Sequence, residues 1–489
     1  MARVLSQLTE PFSSGGNPYL EWHHAPLRQE LEATDLEVIG EIPRDFSGVY
    51  FRNGPNVRHS PIGMYHYFDG DGMIHAVSIK DGKASYRNRW VRTDGLADED
   101  AAGQALYPGL AADSRRELPH LSGSDGFLKD SSNTDVVFFN GQLVSTFYQC
   151  GDGYLLDPET LETSGRLDLD QLGIRSLSAH SMVDERTGEL IFFDYAAKPP
   201  YMTYGVLNAD GSLRHFTPID LPGARLPHTL AITQQYTILM DLPLFWDPEL
   251  LRKDIHKVTY YPDMPSRFGV IGRYDGGETI RWFECDPCYI YHIVNAWEEG
   301  DEIVMEGCKT NTPEPKGTLP GAFGNLLAWM KIDPTYHRWR FNLRTGQARE
   351  EPVFDVASEF PMINARYYGQ KSDISYHVSF ADADVQLFDG LVRFDMAKGS
   401  VQQYKFGPGR YGSEAPFAPR DNSSGEDDGY VVTLVNDTEA GRGEFQIYDA
   451  RDIEQGPLAR VIMPQRIPGG FHSCWAPGDL LAESVERWR

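Results

Sequence analysis

Short apolar runs separated by turn signals recur along most of this 489-residue chain, and this pattern narrows the folds open to it. The runs are rich in β-branched and aromatic residues, which favour strands. Ten Asp-Gly dipeptides, including Asp81-Gly82, Asp210-Gly211 and Asp389-Gly390, supply the positive φ angles of hairpin turns. The pattern predicts an all-β protein, either a sandwich array or a β-propeller. The strand-like runs are 136–147, 190–194, 237–240, 303–305, 391–394, 430–435 and 445–448.

The composition and the chain ends restrict the functional classes. A formal net charge of −26 argues against nucleic-acid binding, which needs a basic surface. No apolar run approaches the roughly 18 residues of a membrane span, and the opening MARVLSQ lacks the apolar core of a secretory signal. The sequence therefore predicts a cytoplasmic protein.

Four histidines that lie far apart in sequence are the main candidates for chemistry: His180, His228, His292 and His472. Neutral imidazole is the commonest protein metal ligand, and a redox metal held by imidazoles alone keeps positions free for dioxygen or substrate. Because no two of them can share a helical turn, they must come from different strands, as they would at the axis of a propeller. The hypothesis is an oxygen-using iron enzyme. The alternative is that these histidines are simply packed or exposed.

Metal-binding histidines usually donate their second ring N–H to a carboxylate. Two acids in apolar settings, Glu359 and Glu414, are candidates for this orienting role. Alternatively, each forms a cap or pairs with an arginine such as Arg366 or Arg420.

Six motifs, in this order, resemble those of the carotenoid cleavage oxygenase family. The resemblance covers residues 35–476. The motifs are FRNGPN (51–56), HYFDGDGMIH (66–75), FGVI (268–271), YHIVNAWE (291–298), EFPMIN (359–364) and GFHSCW (470–475).

The resemblance implies a seven-bladed β-propeller with a helix-and-loop cap over the metal face. Residues 1–34 would be an N-terminal extension, and residues 35–489 a single propeller domain. Cap insertions are expected near 94–134, 221–270 and 310–340, where Pro, Gly and aromatic residues interrupt the strand pattern. The resemblance also implies one Fe(II) per chain, with dioxygen as co-substrate, bound by the four histidines named above.

The family places glutamates behind three of its four imidazoles, and Glu359 and Glu414 match two of them. The third position falls on Gln149, or on Tyr148 if the gap is placed differently, and neither is acidic. A glutamine can still accept a hydrogen bond from an imidazole N–H but adds no negative charge. Thr134 matches a threonine that approaches the open coordination position.

The expected reaction is oxidative cleavage of a carbon–carbon double bond into two carbonyl products. Phenol-cleaving relatives carry a tyrosine, matched here by Tyr107, and a lysine that is missing here, since its position holds Tyr148 or Phe147. This favours an apocarotenoid or carotenoid over a stilbene of the lignostilbene type or a phenylpropene such as isoeugenol. The expected lining residues are Phe51, Tyr107, Phe147, Tyr148 and Trp246.

Two alternatives from other classes stay open: a calcium lactonase and a non-catalytic apocarotenoid-binding propeller. The segment LPLFW (242–246) is either a site of peripheral membrane contact or an apolar tunnel mouth. The sequence leaves the oligomeric state open.

Overall fold

The protein is a ring of β-sheets in the computed structural model, which describes residues 2–111, 128–253, 255–316 and 329–482. Within these ranges seven sheets form the blades of a β-propeller, and one two-stranded sheet stands apart. Six of the strand-like runs named above lie within single strands, and the run 136–147 covers the hairpin of Asp135–Phe139 and Gln142–Thr146. The prediction of an all-β, seven-bladed propeller is confirmed.

Blades 2 to 6 are antiparallel sheets of four strands. The first strands of several neighbouring blades contact one another, which places them at the central axis. From the axis outward, the strands of blade 2 are Asp135–Phe139, Gln142–Thr146, Tyr154–Leu156 and Thr163–Arg166, and those of blade 3 are Met182–Asp184, Glu189–Tyr195, Met202–Leu207 and Leu213–Ile219. Those of blade 4 are Ala231–Ile232, Tyr236–Asp241, Ser266–Gly272 and Arg281–Cys285, and those of blade 5 are Tyr289–Glu299, Glu302–Thr310, Thr335–Asn342 and Ala348–Phe354. Those of blade 6 are Ser358–Met362, Ile374–Phe380, Phe388–Asp395 and Ser400–Lys405.

Blades 1 and 7 combine strands from both ends of the chain. The C-terminal strand Ser473–Pro477 pairs with Gly48–Arg52 in blade 1, and Val38–Gly40 pairs with Ala459–Ile462 in blade 7. These two pairings close the ring. The other strands are Met73–Lys80, Lys83–Trp90, Gln29–Ala33 and Ala2–Gln7 in blade 1, and Arg410–Tyr411, Phe417–Pro419, Gly429–Asp437 and Arg442–Asp449 in blade 7.

The helices that lie wholly within the described ranges are short. Among them, the α-helices are Asp94–Ala102, Leu169–Leu172 and Pro248–Leu251, and the 3-10 helices are Pro18–Leu20, Trp22–His24, Tyr67–Asp69, Gly277–Thr279, Ala365–Tyr367 and Ile453–Gln455.

The N-terminal segment, expected as an extension, adds the two outer strands of blade 1. Its buried Glu30 accepts hydrogen bonds from the Ser6 hydroxyl (2.7 Å), the Trp90 amide (2.9 Å) and the Arg92 guanidinium (2.9 Å). These contacts tie the segment to the rest of the blade.

The insertions are narrower than the sequence suggests. Within 221–270, the strands Tyr236–Asp241 and Ser266–Gly272 belong to blade 4, while the hairpin of Leu244–Trp246 and Val258–Tyr260 stands outside the blades. Likewise, Thr335–Asn342 is a strand of blade 5. Aromatic and Pro- or Gly-containing stretches occur in blade strands too, so composition alone misplaces these borders. The parts 112–127 and 317–328 of the expected insertions lie outside the described residues.

Segment 242–246 presents no exposed apolar side chain to a bilayer. Leu242, Leu244, Phe245 and Trp246 are all at least 94% buried, because the Phe245 ring stacks on Tyr261 (4.6 Å between centroids) and Trp246 packs into a hydrophobic cluster. No helix in the described ranges combines the length and apolar character that a membrane span requires.

Two of the three named Asp-Gly dipeptides form turns. Asp81 and Gly82 both have positive φ (52° and 72°), and Gly211 has φ 82°. The third, Asp389-Gly390, lies instead inside the strand Phe388–Asp395, where Gly390 faces Lys405 on the neighbouring strand. A dipeptide signal cannot distinguish a turn from a strand in which the glycine allows a close backbone approach.

The buried His377 in blade 6 makes the stability of the fold depend on pH, and a substitution at this one position would remove its contribution. Burial lowers its pKa to about 3, so it stays neutral in the folded protein while the unfolded chain binds a proton below pH about 6.5. Its stabilising contribution is present above pH about 6.5 and is lost as the pH falls. As the pH falls from 6 to 4, we expect the unfolding free energy of the wild type to decrease by about 1.4 kcal/mol per pH unit more than the unfolding free energy of His377→Asn does.

The measurement is urea denaturation of both metal-free proteins across that pH range. Parallel pH profiles for the two proteins would contradict the prediction.

Candidate metal centre

The four predicted histidines meet at the axial ends of the innermost strands. His180 precedes Met182–Asp184 of blade 3, His228 precedes Ala231–Ile232 of blade 4, and His472 precedes the closing strand Ser473–Pro477. His292 lies within the first strand of blade 5, Tyr289–Glu299. The hypothesis that these distant positions converge is supported by the geometry.

Their nitrogens are close enough to share one ion. One ligand atom from each of the four imidazoles lies within 4.8 Å of the others, and the Nε2 atoms of His180 and His228 are 3.1 Å apart. With metal–nitrogen bonds of about 2.1 Å, two nitrogens on one ion are about 3 Å apart when adjacent and about 4.2 Å apart when opposite. The spacing therefore fits a single metal.

The protonation states of the imidazoles also fit a metal. Burial lowers the pKa of His180, His228 and His472, and the neighbouring imidazoles lower it further, so these rings are neutral at pH 7. The Nε2 atom of His292 is buried and has no hydrogen-bond partner among the described residues. A buried polar nitrogen without a partner costs about 1–3 kcal/mol, and a metal bond would remove that cost.

Both predicted glutamates contact an imidazole. Glu359 Oε2 lies 2.5 Å from His292 Nδ1, and Glu414 Oε1 lies 3.0 Å from His472 Nδ1. Neither glutamate pairs with an arginine in the described ranges, so the alternative of an arginine pair does not apply. Each contact selects the tautomer whose Nε2 lone pair faces the centre.

A third carboxylate, which the sequence analysis missed, contacts the histidine of blade 3. Asp135 Oδ2 lies 3.2 Å from His180 Nδ1. Its position directly after Thr134 was a usable signal, because an acid beside a residue expected near the metal is itself a candidate partner. Burial, and then repulsion from Asp135 and Glu359, raises the pKa of Glu414 well above its ordinary value, and a bound cation would counter that repulsion.

Gln149, the residue at the position of the third glutamate, is buried, and its Oε1 has no hydrogen-bond partner within the described part of the chain. The Tyr148 hydroxyl is likewise buried and unpartnered there. His228 forms no ion pair with any described carboxylate. The orienting contact expected from Gln149 is therefore absent among the described residues.

Thr134 is held in one orientation next to the centre. Its hydroxyl accepts a hydrogen bond from the Tyr148 amide (3.1 Å) and donates one to Asn133 Oδ1 (3.0 Å), while its carbonyl accepts from the His472 amide (3.2 Å). With its hydroxyl donating to Asn133, the side chain has no free hydrogen-bond donor.

Backbone strain is concentrated at this site. His180 has φ 58° and Phe360, next to Glu359, has φ 50°; Ser132 and Cys150 near Thr134 and Gln149 have φ 45° and 67°. Non-glycine residues adopt this region rarely and at some cost in free energy, and such residues cluster at functional sites.

A cavity of about 620 Å³ reaches the centre. His180, His292, His472, Asp135 and Glu414 line it together with apolar side chains, and none of the five residues expected to line a substrate site does. This cavity is therefore distinct from the predicted substrate contacts.

Four of the five expected contacts lie in hydrophobic clusters, and the fifth, Tyr107, lines a small separate cavity. Phe51 is fully buried in the core between blades 1 and 2, which is the role of a packing residue and contradicts its predicted contact with substrate. Trp246 packs with Tyr195 in another core cluster. Phe147 and Tyr148 form a cluster with Leu128 and Ala179 beside the Thr134 loop. Apolar patterning alone does not distinguish a core side chain from a tunnel wall.

Comparisons with known proteins agree with this architecture. Residues 24–477 match the family model described as retinal pigment epithelial membrane protein. A carotenoid 9,10(9',10')-cleavage dioxygenase of Crocus sativus is 36% identical over 497 residues, which cover 95% of this chain and 90% of the relative. The isoeugenol monooxygenase of Pseudomonas nitroreducens is 29% identical over 477 residues, covering 94% of this chain and 98% of the relative.

Solved structures share the fold over nearly the whole chain. The lignostilbene dioxygenase of Pseudomonas brassicacearum has a TM-score of 0.85 at 28% identity, covering 96% of this chain and 100% of that one. The cobalt-substituted apocarotenoid oxygenase of Synechocystis has a TM-score of 0.80 at 24% identity, covering 95% and 99%. The propeller, its four-histidine centre and these matches together place the chain in the carotenoid cleavage oxygenase family.

Proposed function

We propose that this protein is an Fe(II) dioxygenase that uses dioxygen to cleave a carbon–carbon double bond of an apocarotenoid or carotenoid into two carbonyl products. The observation that carries the proposal is the convergence of four imidazoles with no thiolate among them. Imidazole ligands suit iron, as they also suit zinc, copper and nickel, and membership of the oxygenase family favours iron. Iron bound there would supply the position and the electrons with which dioxygen is activated.

The protein's own residues have three tasks in this reaction. The four histidines would hold the ion, and Glu359 and Glu414 fix two of the rings through their Nδ1 atoms. Thr134 donates its hydroxyl hydrogen to Asn133, so this side chain offers no competing hydrogen-bond donor to the centre. Positioning the alkene and excluding water then account for the rest of the protein's contribution.

The contacts of Tyr107 favour an apolar substrate over a phenol. The Tyr107 hydroxyl donates to Asp98 (2.9 Å), and Lys129, which lines the same small cavity, donates to both Asp71 and Glu99 (2.7 Å each). This lysine has its charge balanced by two carboxylates. The region is net negative, so it would repel a phenolate.

Cleavage of a stilbene or phenylpropene is the second candidate function. The observations that favour it are the high structural similarity to a lignostilbene dioxygenase and the sequence similarity to an isoeugenol monooxygenase over most of the chain. Tyr107 is also retained at the position of the phenol-contacting tyrosine.

Three alkenes separate these functions: an apocarotenal, stilbene and 4-hydroxystilbene, each supplied to anaerobically iron-loaded protein that is then exposed to oxygen. We expect cleavage of the apocarotenal. We also expect stilbene to be cleaved better than 4-hydroxystilbene, because a buried phenol hydroxyl without a partner costs about 1–3 kcal/mol, which is roughly 5–160-fold in kcat/KM.

Identification of the aldehyde products by mass spectrometry is the measurement. A strong preference for 4-hydroxystilbene over stilbene would instead support the phenol-cleaving alternative. Bound apocarotenal without products, in iron-loaded protein, would indicate a binding protein, and calcium in place of iron in the purified protein would indicate a lactonase.

A further inference from the structure

We propose that Asp135 is a positioning residue for the metal centre, acting through His180 and supplying the negative charge that Gln149 does not. This inference rests on the proposed metal site but concerns a carboxylate outside the expected set of glutamates. Asp135 Oδ2 and His180 Nδ1 are separated by 3.2 Å, a hydrogen-bonding distance.

The backbone around Asp135 directs this carboxylate. Asp135 begins the innermost strand of blade 2 and pairs there with Thr146. Its carbonyl accepts a hydrogen bond from Asn53 Nδ2 (3.0 Å), and its Oδ1 accepts one from the Val136 amide (2.7 Å). With one carboxylate oxygen and the main chain fixed, the other oxygen is held towards His180.

The contact determines how the His180 ring faces the centre. When Nδ1 donates to Asp135, the proton lies on Nδ1 and Nε2 keeps its lone pair. That Nε2 atom is the one that lies 3.1 Å from His228 Nε2. The contact therefore presents a ligand atom of His180 to the same point as the neighbouring imidazole.

The charge of Asp135 is not used elsewhere. No lysine or arginine in the described ranges forms an ion pair with it, and His180 is its one recorded ionic partner there. Its side chain is only 13% exposed. The Asp135 carboxylate is largely buried and has no Lys or Arg beside it among the described residues. A His180 ring that donates to it through Nδ1 and binds a metal ion through Nε2 would stabilise its negative charge.

The distribution of acids around the four rings completes the argument. Asp135, Glu359 and Glu414 contact His180, His292 and His472 respectively. In the part of the chain described, His228 has no such partner, and the buried Gln149 is neutral. Three carboxylates therefore support the centre. The third of them, Asp135 in blade 2, acts on His180, which precedes the first strand of blade 3.

The test compares Asp135→Asn with Asp479→Asn in otherwise intact protein. Asp479 is a matched control: it lines the same cavity and its Oδ1 accepts the amide of the next residue, Leu480 (2.9 Å), as Asp135 does with Val136, but it contacts no imidazole within the described residues. Cobalt(II) is the probe, since it binds without air oxidation and reports its coordination through its visible absorption spectrum.

We expect Asp135→Asn to bind cobalt about 10–100-fold more weakly in chelator competition, the loss typical of an orienting partner, and to shift the cobalt spectrum. Asp479→Asn should bind like the wild type, and the melting temperatures of all three metal-free proteins should agree. Asp135→Ala, which removes the acceptor altogether, should bind no more tightly than Asp135→Asn.

Equal affinity and spectra for wild type and Asp135→Asn would overturn the inference while leaving the metal site intact. Equal weakening by Asp479→Asn would overturn it as well, because only the overall charge of the cavity would then matter. If the wild type itself bound no cobalt, the proposed function would fail, which is a separate result.

Discussion

Replacing His292 with alanine is expected to lower metal affinity by more than about 100-fold, beyond the loss typical of an orienting partner, and to reduce alkene cleavage to background. His292 lies inside a strand of eleven residues, so the backbone around it is fixed and no neighbouring side chain can take its place. Its Nε2 is the buried atom without a hydrogen-bond partner that a metal would satisfy.

The matched control is His377→Asn, which removes a buried histidine outside the cluster. The ring of His377 contacts the Ser358 and Ser375 hydroxyls instead of other imidazoles. That variant should keep full iron content and cleavage at pH 7.5. Iron content by elemental analysis and product formation on the same samples are the measurements. A His292→Ala protein that retains stoichiometric iron and activity would refute the proposed centre.

Much of this fold could be predicted from local sequence signals, because strands and turns depend on neighbouring residues. The runs at 190–194 and 430–435 are strands, and Asp81-Gly82 is a hairpin turn. Local patterns could not distinguish a sandwich from a propeller. That difference depends on which strands lie at the axis and on the pairing of Ser473–Pro477 with Gly48–Arg52, a contact between the two ends of the chain.

The site residues likewise divide into those that sequence signals could identify and those that depend on contacts between distant parts of the chain. The four histidines, Glu359 and Glu414 were predicted from their residue types and settings together with the family resemblance, and the structure brings all six together. Asp135 was missed because its role depends on the neighbouring blade and not on a motif. Phe51 was misassigned because its run of apolar residues does not show which face meets the core.

Glu414 connects the metal centre to the closure of the ring, and its removal is expected to weaken both. Its carboxylate accepts hydrogen bonds from His472 Nδ1 (3.0 Å), the Ser473 amide (2.5 Å) and the Ser473 hydroxyl (3.0 Å). Ser473 begins the strand that joins the two ends of the chain. Each buried donor left without its partner costs about 1–3 kcal/mol, so we expect Glu414→Ala to lower the unfolding free energy of the metal-free protein by about 3 kcal/mol or more.

Glu359→Ala is the matched comparison. Glu359 accepts from His292 Nδ1 and from the amide of its own neighbour Phe360, both at 2.5 Å, and it binds no strand that closes the ring. Both variants should lose about 10–100-fold in metal affinity. Only Glu414→Ala should also show the larger loss in the denaturation of metal-free protein. Equal metal-free stability of the two variants would show that the Ser473 contacts do not hold the closing strand.

Metal binding should then stabilise the closed ring through the same carboxylate. A ligand that binds only the folded state adds RT ln(1 + [L]/Kd) to stability, so a 10–100-fold weaker Kd removes about 1.4–2.7 kcal/mol at a fixed excess of metal. The cobalt-dependent increase in unfolding free energy should therefore be smaller by this amount in Glu414→Ala than in the wild type, in addition to the deficit seen without metal. An unchanged increase would mean that Glu414 supports the closing strand but not the His472 ring, because the two effects arise from different hydrogen bonds of one side chain.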